Sequence, residues 1–365
     1  MIFDHLNFGA FALDSFTKRT QRFLNLDIYM FRSFFCILLI LLVCSCEDKE
    51  QPLPSLYPTL MEVPVGFPPI DFPEGNEFSQ ERWELGKKLF YDLVMSVDSS
   101  VSCASCHHPG LSFSDNVALS LGVDDLLGTR NASPLANVAY HPYFTREGGV
   151  PSLEMQVLVP IQEHNEFAFN IVLLADKLSE DSVYVQMALD AYDRTPDPFV
   201  ITRALANFER SLLSGNSRYD QHINGEEAVL TASELRGMDL FFSERTQCSS
   251  CHGGFNFTNY AFENNGLYEA YKDIGRFRFS NEVGDSSLFK VPSLRNVSLT
   301  APYMHDGSMA DLETVVAHYV SGGKDYSNKS ELIRPLDLTL DEQTDLRRFL
   351  ESLTDDEFVD NPIFR

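Results

Sequence analysis

Two copies of the motif Cys-x-x-Cys-His are the clearest chemical signal in the chain. They consist of Cys103, Cys106 and His107 in the first copy and of Cys248, Cys251 and His252 in the second. Thiols at this spacing can add across the two vinyl groups of a haem, and the histidine that follows is then held under the iron as its axial ligand. Zinc and redox dithiols also use Cys-x-x-Cys, but they leave both histidines unexplained. The motifs therefore predict two covalently bound c-type haems.

The composition describes an acidic, globular chain. Its 365 residues are enough for two domains, and an apolar share of 44% is enough for packed cores. The net charge of −25 repels nucleic acid and favours a basic protein partner. We therefore expect no binding of nucleic acid.

The N-terminal region predicts export. The segment "MFRSFFCILLILLVCSC" (30–46) has the cation, apolar run and small residues of a signal peptide, and it is too short and wrongly flanked for a membrane-spanning helix. Its end resembles a bacterial lipobox and predicts a lipid on Cys46, whereas ordinary secretion with cleavage nearby is the alternative. We expect a signal peptide over residues 1–45, with Met30 as an alternative start, and a lipid-anchored protein of the periplasm or cell envelope. Residues 46–76 hold seven prolines and predict a tether or strap.

The remaining chain repeats one pattern twice. The segment "GKKLFYD" (86–92) precedes the first haem motif, and "GMDLFFS" (237–243) precedes the second. Both segments carry Gly-x-x-Leu-Phe on what their periodicity predicts to be an amphipathic helix. The chain is therefore expected to use one structural unit twice.

Helix signals dominate this repeated part. Thr231 begins a capping-box pattern, and Asp197 precedes a proline, so both predict helix starts. Strand-like alternation is scarce. We therefore predict a mainly α fold with an N-terminal haem domain over residues 77–225, termed the first half, and a C-terminal haem domain over residues 226–365, termed the second half.

Several longer segments match a known family in the same order. They are "LGKKLFYD", "CASCHHPGLSFSDN", "GTRNASPLANVAYHP", "LEMQVLVPIQEHNEF", "FERSLLSGNSRYD", "CSSCHGGFNFTN", "FKVPSLRNVSLTAPYMHDGS" and "LETVVAHYVSGG". On these segments the chain resembles the bacterial di-haem cytochrome c peroxidase family, which includes the MauG-type enzymes. The resemblance implies two cytochrome-c-like haem domains packed face to face, with peroxide at the first haem and electrons relayed by the second. It also implies a peroxidase that reduces hydrogen peroxide to water with electrons from a small redox protein such as cytochrome c or a cupredoxin, and a homodimer.

The resemblance assigns the peroxide site to Gln156 and Glu166. They lie in "MQVLVPIQEHNEF", with Pro160 between them. A carboxylate in an enclosed pocket above the iron can move a proton from one peroxide oxygen to the other, and an amide can orient peroxide or water. His164 is either a second proton-handling group or a neighbour. Without the resemblance, Glu166 would be interpreted as a solvated charge.

The resemblance also implies a calcium ion between the two domains. Its ligands in the family are an asparagine side chain and two backbone carbonyls, which match Asn131 and the carbonyls of Thr300 and Pro302. Oxygen ligands suit calcium, although an isolated asparagine is more often a turn or cap residue.

Two positions depart from the family pattern. Val123 stands where many of these peroxidases have a histidine that caps the peroxidatic iron, so we expect a five-coordinate first haem, with His141 as the rival ligand. Arg146 stands where the family often has a tryptophan between the haems. Tyr143 and Phe144 are then candidates for a different electron route.

The sixth ligand of the second haem is a third point of difference. Cytochrome c peroxidases of the family use a methionine there, and MauG uses a tyrosine. The alignment on "LETVVAHYVSGG" selects Tyr319, with Met304, Met309 and His318 as rivals. A phenolate ligand would stabilise ferric iron.

Two further functions remain open from the sequence. A MauG-like oxidase would use the same chemistry to modify residues of a partner protein, and the valine at position 123 and the candidate tyrosine ligand favour it. A non-enzymatic di-haem electron carrier or sensor would have both irons saturated and no role for Glu166.

Overall fold

Helices form most of the regular structure. The computed structural model describes residues 60–226 and 228–365, which belong to one compact unit running from Thr59 to Arg365. The α-helices there are α1 (Gln80–Tyr91), α2 (Leu153–Gln156), α3 (Leu158–Gln162), α4 (Ile171–Ser179), α5 (Ser182–Tyr192), α6 (Pro198–Arg210), α7 (Arg218–Ile223), α8 (Ala232–Phe241), α9 (Cys248–Cys251), α10 (Phe277–Ser280), α11 (Leu312–Ser321), α12 (Leu340–Glu351) and α13 (Asp356–Val359). Single turns of 3₁₀ helix cover Leu93–Met95, Cys103–Ser105, Pro109–Leu111, Val123–Asp125, Val138–Tyr140, Val283–Asp285, Val297–Leu299 and Pro362–Phe364. The prediction of a mainly α fold is confirmed, while the face-to-face packing of two domains stays a prediction.

A two-stranded sheet interrupts the helices of the second half. Strand β1 (Phe262–Glu263) runs antiparallel to β2 (Phe289–Lys290), with Phe262 opposite Lys290. The amide of Lys290 donates to the carbonyl oxygen of Arg146 at 2.6 Å. Because Arg146 belongs to the first half, this bond ties the sheet to that half.

Each half contains two helices that cross at a glycine. Helix α1 packs against α6 in the first half, and α8 packs against α12 in the second. A Cβ on Gly86 would overlap the carbonyl oxygen of Ala204, and a Cβ on Gly237 would overlap that of Asp345. The glycine of the repeated Gly-x-x-Leu-Phe pattern therefore allows two helix backbones to touch.

Side-chain caps begin two of these helices at the predicted residues. The Thr231 hydroxyl accepts from the amide of Glu234 at 3.3 Å, and the Glu234 carboxylate accepts from the amide of Thr231 at 2.8 Å, which completes a capping box at α8. Asp197 accepts from the amide of Val200 at 2.8 Å, and α6 begins at the next residue, Pro198. Both predicted helix starts are confirmed.

Phenylalanines form the core of the first half. Phe90 of α1, Phe208 of α6 and Phe113, which follows the first haem motif, are fully buried, with ring centroids 5.1 to 6.5 Å apart. Phe358 and Phe364 from the end of the chain pack at 5.9 and 6.1 Å from Phe113. The C-terminal segment therefore completes the core of the first half, and the domain boundary after residue 225 stays a prediction.

The second half repeats this aromatic arrangement. Phe241 of α8, Phe349 of α12 and Phe257, which follows the second haem motif, are buried with ring centroids 5.1 to 6.3 Å apart. Tyr219 packs edge-on against Phe257 at 5.0 Å. Each buried phenylalanine contributes about 1.5–3 kcal/mol relative to an exposed one, so the repeated cluster stabilises both halves in the same way.

A proline-rich segment lies across both halves. Phe67 packs edge-on against Phe255 at 4.7 Å and Tyr140 at 5.9 Å, and the Arg295 guanidinium lies 4.6 Å from its ring centre. The carbonyl oxygen of the following proline accepts from the Tyr140 hydroxyl at 3.0 Å. The described part of the predicted tether is thus a strap that contacts Tyr140 in one half and Phe255 and Arg295 in the other.

In residues 60–226 and 228–365, no helix has the length and apolar character needed to cross a membrane. The predicted signal peptide and the lipid site at Cys46 lie outside the described residues.

Gly237→Ala tests the helix crossing. The added Cβ would meet the Asp345 carbonyl, so α8 and α12 must separate, which costs about 1–3 kcal/mol. We expect the haem-loaded variant to unfold several degrees below the wild type when it is heated and followed by circular dichroism. Gly284→Ala is the control, because nothing lies within 4 Å of its added Cβ. Equal melting temperatures for the two variants would contradict the close crossing.

Candidate active site

A short 3₁₀ turn orients the first haem motif. Cys103 starts that turn, and the amide of His107 donates to the Cys103 carbonyl at 3.0 Å. His107 Nδ1 lies 2.7 Å from the carbonyl oxygen of Phe113. When Nδ1–H donates this bond, Nε2 keeps its lone pair for a metal, and burial lowers the pKa of His107, which favours the neutral ring.

The backbone around Phe113 explains this bond. Ser112 and Phe113 have φ angles of 55° and 58°, in the left-handed region that non-glycine residues rarely adopt. This turn folds the chain back over the motif, so the Phe113 carbonyl meets His107 while its ring stays in the core.

The second motif has the same design. Helix α9 holds both thiols, and His252 Nδ1 lies 3.2 Å from the carbonyl oxygens of both Phe257 and Pro292. Phe257 also has a positive φ, of 49°. Burial lowers the pKa of His252 to about 4, so its ring is neutral at physiological pH. Both histidines are therefore oriented as haem ligands require.

A cavity of about 360 Å³ lies beside the first motif. Its lining includes Cys103, Cys106 and His107 together with Gln156 and Glu166. The predicted haem-binding residues of the first half and the predicted peroxide-handling residues thus share one cavity. Its size is within the range of cofactor and ligand pockets.

Two buried polar atoms in this cavity lack partners. Gln156 Oε1 and His141 Nε2 are shielded from solvent and make no hydrogen bond to any described residue. Buried polar atoms of this kind cost free energy unless something else satisfies them. A group bound in the cavity that both residues line could supply the missing partners.

Lys290 supports the fit of a haem. It lines the cavity and donates to the carbonyl oxygen of Tyr143 at 2.6 Å, but it forms no ion pair with a carboxylate among the described residues. Burial, assisted by Arg146, lowers the pKa of Lys290 to about 8. A haem brings propionate groups, which would supply the missing anion.

Glu166 is a partly buried carboxyl in the turn that follows helix α3. Its amide donates to the Glu163 carbonyl at 3.0 Å, and its own carbonyl accepts from the Val123 amide at 2.9 Å. Burial, with a smaller contribution from the negative charge of Glu163, raises the pKa of Glu166 to about 7. Such a carboxyl can hold or release a proton near neutral pH. His164 is exposed and does not line the cavity.

Val123 and His141 differ in where their side chains lie. Val123 is 2% exposed and belongs to the hydrophobic core of the first half. His141 lines the cavity and packs 5.3 Å from the ring of Tyr260 in the second half. Burial and the charge of Lys290 hold its pKa well below the usual value.

Met304 and Tyr319 meet at one side chain near the second motif. Asn265 Nδ2 donates to Met304 Sδ at 3.2 Å and lies 3.5 Å from Tyr319 Oη. Burial raises the pKa of Tyr319, and the thiols of Cys251 and Cys248 add to this effect, so the ring lies near that motif.

The other two candidate ligands have different surroundings. His318 Nε2 lies 3.0 Å from the carbonyl oxygen of Asn265, and Met309 pairs through its backbone with Tyr303. Three of the four candidates thus lie around Asn265: Met304 and Tyr319 at its side-chain amide, and His318 at its backbone carbonyl. Asn265 itself was not found from the sequence, because no motif or spacing singles it out.

Glu209 is a second residue that the sequence analysis missed. It lines the cavity and is 9% exposed, and burial raises its pKa to about 8. The signal was present, because Glu209 belongs to the segment "FERSLLSGNSRYD" on which the family resemblance rests.

The surroundings of Asn131 do not fit the predicted calcium ion. Asn131 Oδ1 and its carbonyl oxygen accept from the Arg146 guanidinium at 3.0 and 2.9 Å. Its amide donates to the carbonyl of His305, in the loop that contains Thr300 and Pro302. The Asn131 side-chain oxygen that calcium would need already binds a cationic side chain.

Two oriented haem motifs on a helical fold define a di-haem c-type protein. A model of the family "Di-haem cytochrome c peroxidase" matches residues 80–228. The chain is 34% identical over 289 residues to the methylamine utilization protein MauG of Methylorubrum extorquens, covering 78% of this chain and 81% of that protein. It is 30% identical over 253 residues to the cytochrome c551 peroxidase of Pseudomonas aeruginosa, covering 67% of this chain and 72% of that protein.

A solved structure agrees with these sequence matches. It is described as a MauG-like protein associated with microbial copper homeostasis, and it superposes with a TM-score of 0.79 at 33% identity, covering 83% of this chain and 98% of that one. The chain therefore belongs to the di-haem cytochrome c peroxidase family, an oxidoreductase family with two c-type haems. The resemblance predicted from the sequence is confirmed.

Replacing both thiols of one motif tests the haem count. In a Cys248→Ser/Cys251→Ser double variant, nothing can bond covalently to the second haem, so the intact mass should fall by one haem relative to the wild type. The pyridine haemochrome absorbance per chain should halve. Ser249→Ala/Ser250→Ala, which changes only the spacer residues, is the matched control and should keep two haems. A cysteine variant whose intact mass still includes two haems would contradict covalent attachment at this motif.

Proposed function

We propose that this protein is an exported di-haem peroxidase that reduces hydrogen peroxide to water. Two electrons would come from a small redox protein such as a cytochrome c or a cupredoxin. The observation that supports this most directly is the cavity shared by the first haem motif, Gln156 and Glu166. Family membership and relatives named cytochrome c peroxidase support the same reaction.

The proposed chemistry gives Glu166 and Gln156 separate roles. His107 would hold a haem, and that haem would supply the electrons for cleavage of the O–O bond. Glu166 takes the proton from one peroxide oxygen and returns it to the other, so that the latter leaves as water. Gln156 Oε1, which has no partner among the described residues, accepts a hydrogen bond from the peroxide O–H and orients it. Two protons and two electrons per peroxide balance the formation of two waters.

The peroxide side of the first haem is proposed to carry no ligand from the chain. Val123, at the position where many relatives have a histidine, is in the hydrophobic core and has no atom that binds iron. His141 is held between the Tyr260 ring and Lys290, so it is assigned to the cavity wall.

We also propose Tyr319 as the sixth ligand of the second haem. Its hydroxyl lies near Asn265 Nδ2, which can stabilise a phenolate by donating a hydrogen bond. Met304, whose sulfur accepts from the same amide, is the alternative.

Export and assembly complete the proposal. The apolar run before Cys46 supports cleavage and lipid attachment there, which would leave the protein in the periplasm or cell envelope. A homodimer is proposed from the family resemblance.

A MauG-like oxidase is the second candidate. The observations that favour it are Tyr319 beside the second motif and the 34% identity to a protein named MauG. It would share the peroxide chemistry but oxidise residues of a partner protein. Fast peroxide-dependent oxidation of a reduced small cytochrome supports the first function, and covalent change in a partner without cytochrome turnover supports the second.

Glu166→Gln tests the proposed acid–base residue. The amide cannot carry a proton between the two oxygens, so the rate constant for peroxide reduction should fall about 10²- to 10⁴-fold in stopped-flow assays with reduced cytochrome c. In the wild type the base is active when ionised, so the rate should rise as pH passes through about 7 and level off above it.

Glu163→Gln is the matched control for this profile. It also changes a carboxyl of the cavity lining, but it only removes a negative neighbour of Glu166. The rate of peroxide reduction at high pH should stay near the wild-type value. The pH at which this rate rises should be lower than in the wild type. A Glu166→Gln variant that keeps the wild-type rate constant and the same rise of that rate with pH would rule out the proposed role.

Tyr319→Phe tests the sixth ligand. Loss of the hydroxyl should change the absorption and electron paramagnetic resonance signals of one haem and leave those of the other unchanged. Met304→Leu, which removes the other atom near Asn265, is the control and should preserve both spectra. The reverse result would assign the methionine instead.

A further inference from the structure

The contacts of Asn131 resemble those of a cation site that is already filled. Asn131 is 7% exposed, and each of its polar groups has a partner. Its side-chain amide donates to the Val117 carbonyl at 3.1 Å, and its backbone amide donates to the His305 carbonyl at 3.0 Å. Both of its oxygens face the Arg146 guanidinium.

Arg146 binds these oxygens with two nitrogens. Its Nε and Nη2 donate to the Asn131 carbonyl at 3.2 and 2.9 Å, and Nη2 also donates to Asn131 Oδ1 at 3.0 Å. It forms no ion pair with a carboxylate in the described part of the chain. Its charge is therefore stabilised mainly by neutral oxygens, which is how proteins also bind hard metal cations.

We propose that the Arg146 guanidinium replaces the calcium ion of the family as the cation between the two halves, so that this protein needs no calcium. Asn131, one of the three residues expected to bind calcium, and the arginine belong to the same chain. The cation is thus supplied by the fold and cannot be removed by a chelator.

The position of Arg146 fits this joining role. Its carbonyl oxygen accepts from the amide of Lys290 in β2, and the carbonyl of the next residue, Glu147, accepts from Arg276 Nη1 at 3.1 Å. Asn131 reaches the second half through His305. Each of these bonds links the first half to the second, so Arg146 lies where a bridging ion would act.

The surrounding charges also disfavour an added divalent ion. Arg130 and Lys290 lie close enough to Arg146 for mutual repulsion. The nearby carboxylates are engaged elsewhere, since Glu147 pairs with Arg130 and Asp306 accepts from the Tyr268 hydroxyl at 2.6 Å. A calcium ion at Asn131 would therefore meet the Arg146 guanidinium at the oxygen it needs, while the nearby carboxylates of Glu147 and Asp306 already offset the charge of Arg146.

Metal analysis of the haem-loaded protein is the first test. After dialysis against EGTA, the wild type should contain far less than one calcium per chain, with unchanged haem spectra. Adding calcium chloride should leave its melting temperature unchanged, because an ion that does not bind the folded state cannot stabilise it. One calcium per chain that resists dialysis, or a melting temperature that falls when calcium is removed, would overturn the proposal.

Arg146→Met gives the complementary result. It removes the charge and frees both Asn131 oxygens, so its melting temperature should fall by about 5 °C and should recover partly when calcium is added. Arg146→Lys retains a cation, and Arg278→Met removes an exposed cation from the same cavity lining; neither should respond to calcium. A calcium response in Arg146→Lys equal to that of Arg146→Met would contradict the proposal. If Arg146→Met does not fold, the calcium content of the wild type decides the question alone.

Discussion

The contact of two helix backbones at a glycine is the constraint on which each haem site depends. It brings a phenylalanine from each helix together, and a third phenylalanine, Phe113 or Phe257, packs against that pair. The carbonyl of this third residue then binds Nδ1 of the haem-motif histidine. A side chain at Gly86 or Gly237 would move the helix, then the ring, and finally the carbonyl that orients the histidine. Successive contacts thus connect the glycine, the aromatic core and the motif histidine, and this arrangement occurs in both halves.

The two halves differ because their loops differ, not their cores. In the first half, the segment that contains Gln156 and Glu166 lies beside the haem motif and adds groups that can move protons. In the second half, the Asn265 side chain instead contacts both Met304 Sδ and Tyr319 Oη. Both atoms belong to types that can bind iron. A shared helical frame thus places candidate proton-handling residues near the first motif and candidate iron ligands near the second.

Charge is distributed unevenly over the molecule. The chain has a net charge of −25, yet Arg146 and Lys290 line the cavity and form no ion pair with a carboxylate of residues 60–226 or 228–365. Cations inside an acidic protein are stabilised by its overall field and can meet the anionic groups of a bound cofactor. The same positive charge lies beside Asn131, where the family resemblance predicted a calcium ion.

The sequence by itself determined the covalent chemistry, the helical class and the repeat. These follow from short-range patterns: Cys-x-x-Cys-His, capping residues such as Thr231, and the spacing of apolar side chains. Gln156 and Glu166 were reached only through a family resemblance, because ten residues of separation do not by themselves define a pocket. Tertiary structure alone decided that Phe364 completes the first core and that Asn265 lies between two candidate ligands. It also decided that Arg146 occupies the oxygens of Asn131. Such contacts join residues far apart in the chain, and their partners are selected by how the helices pack, which local sequence patterns do not encode.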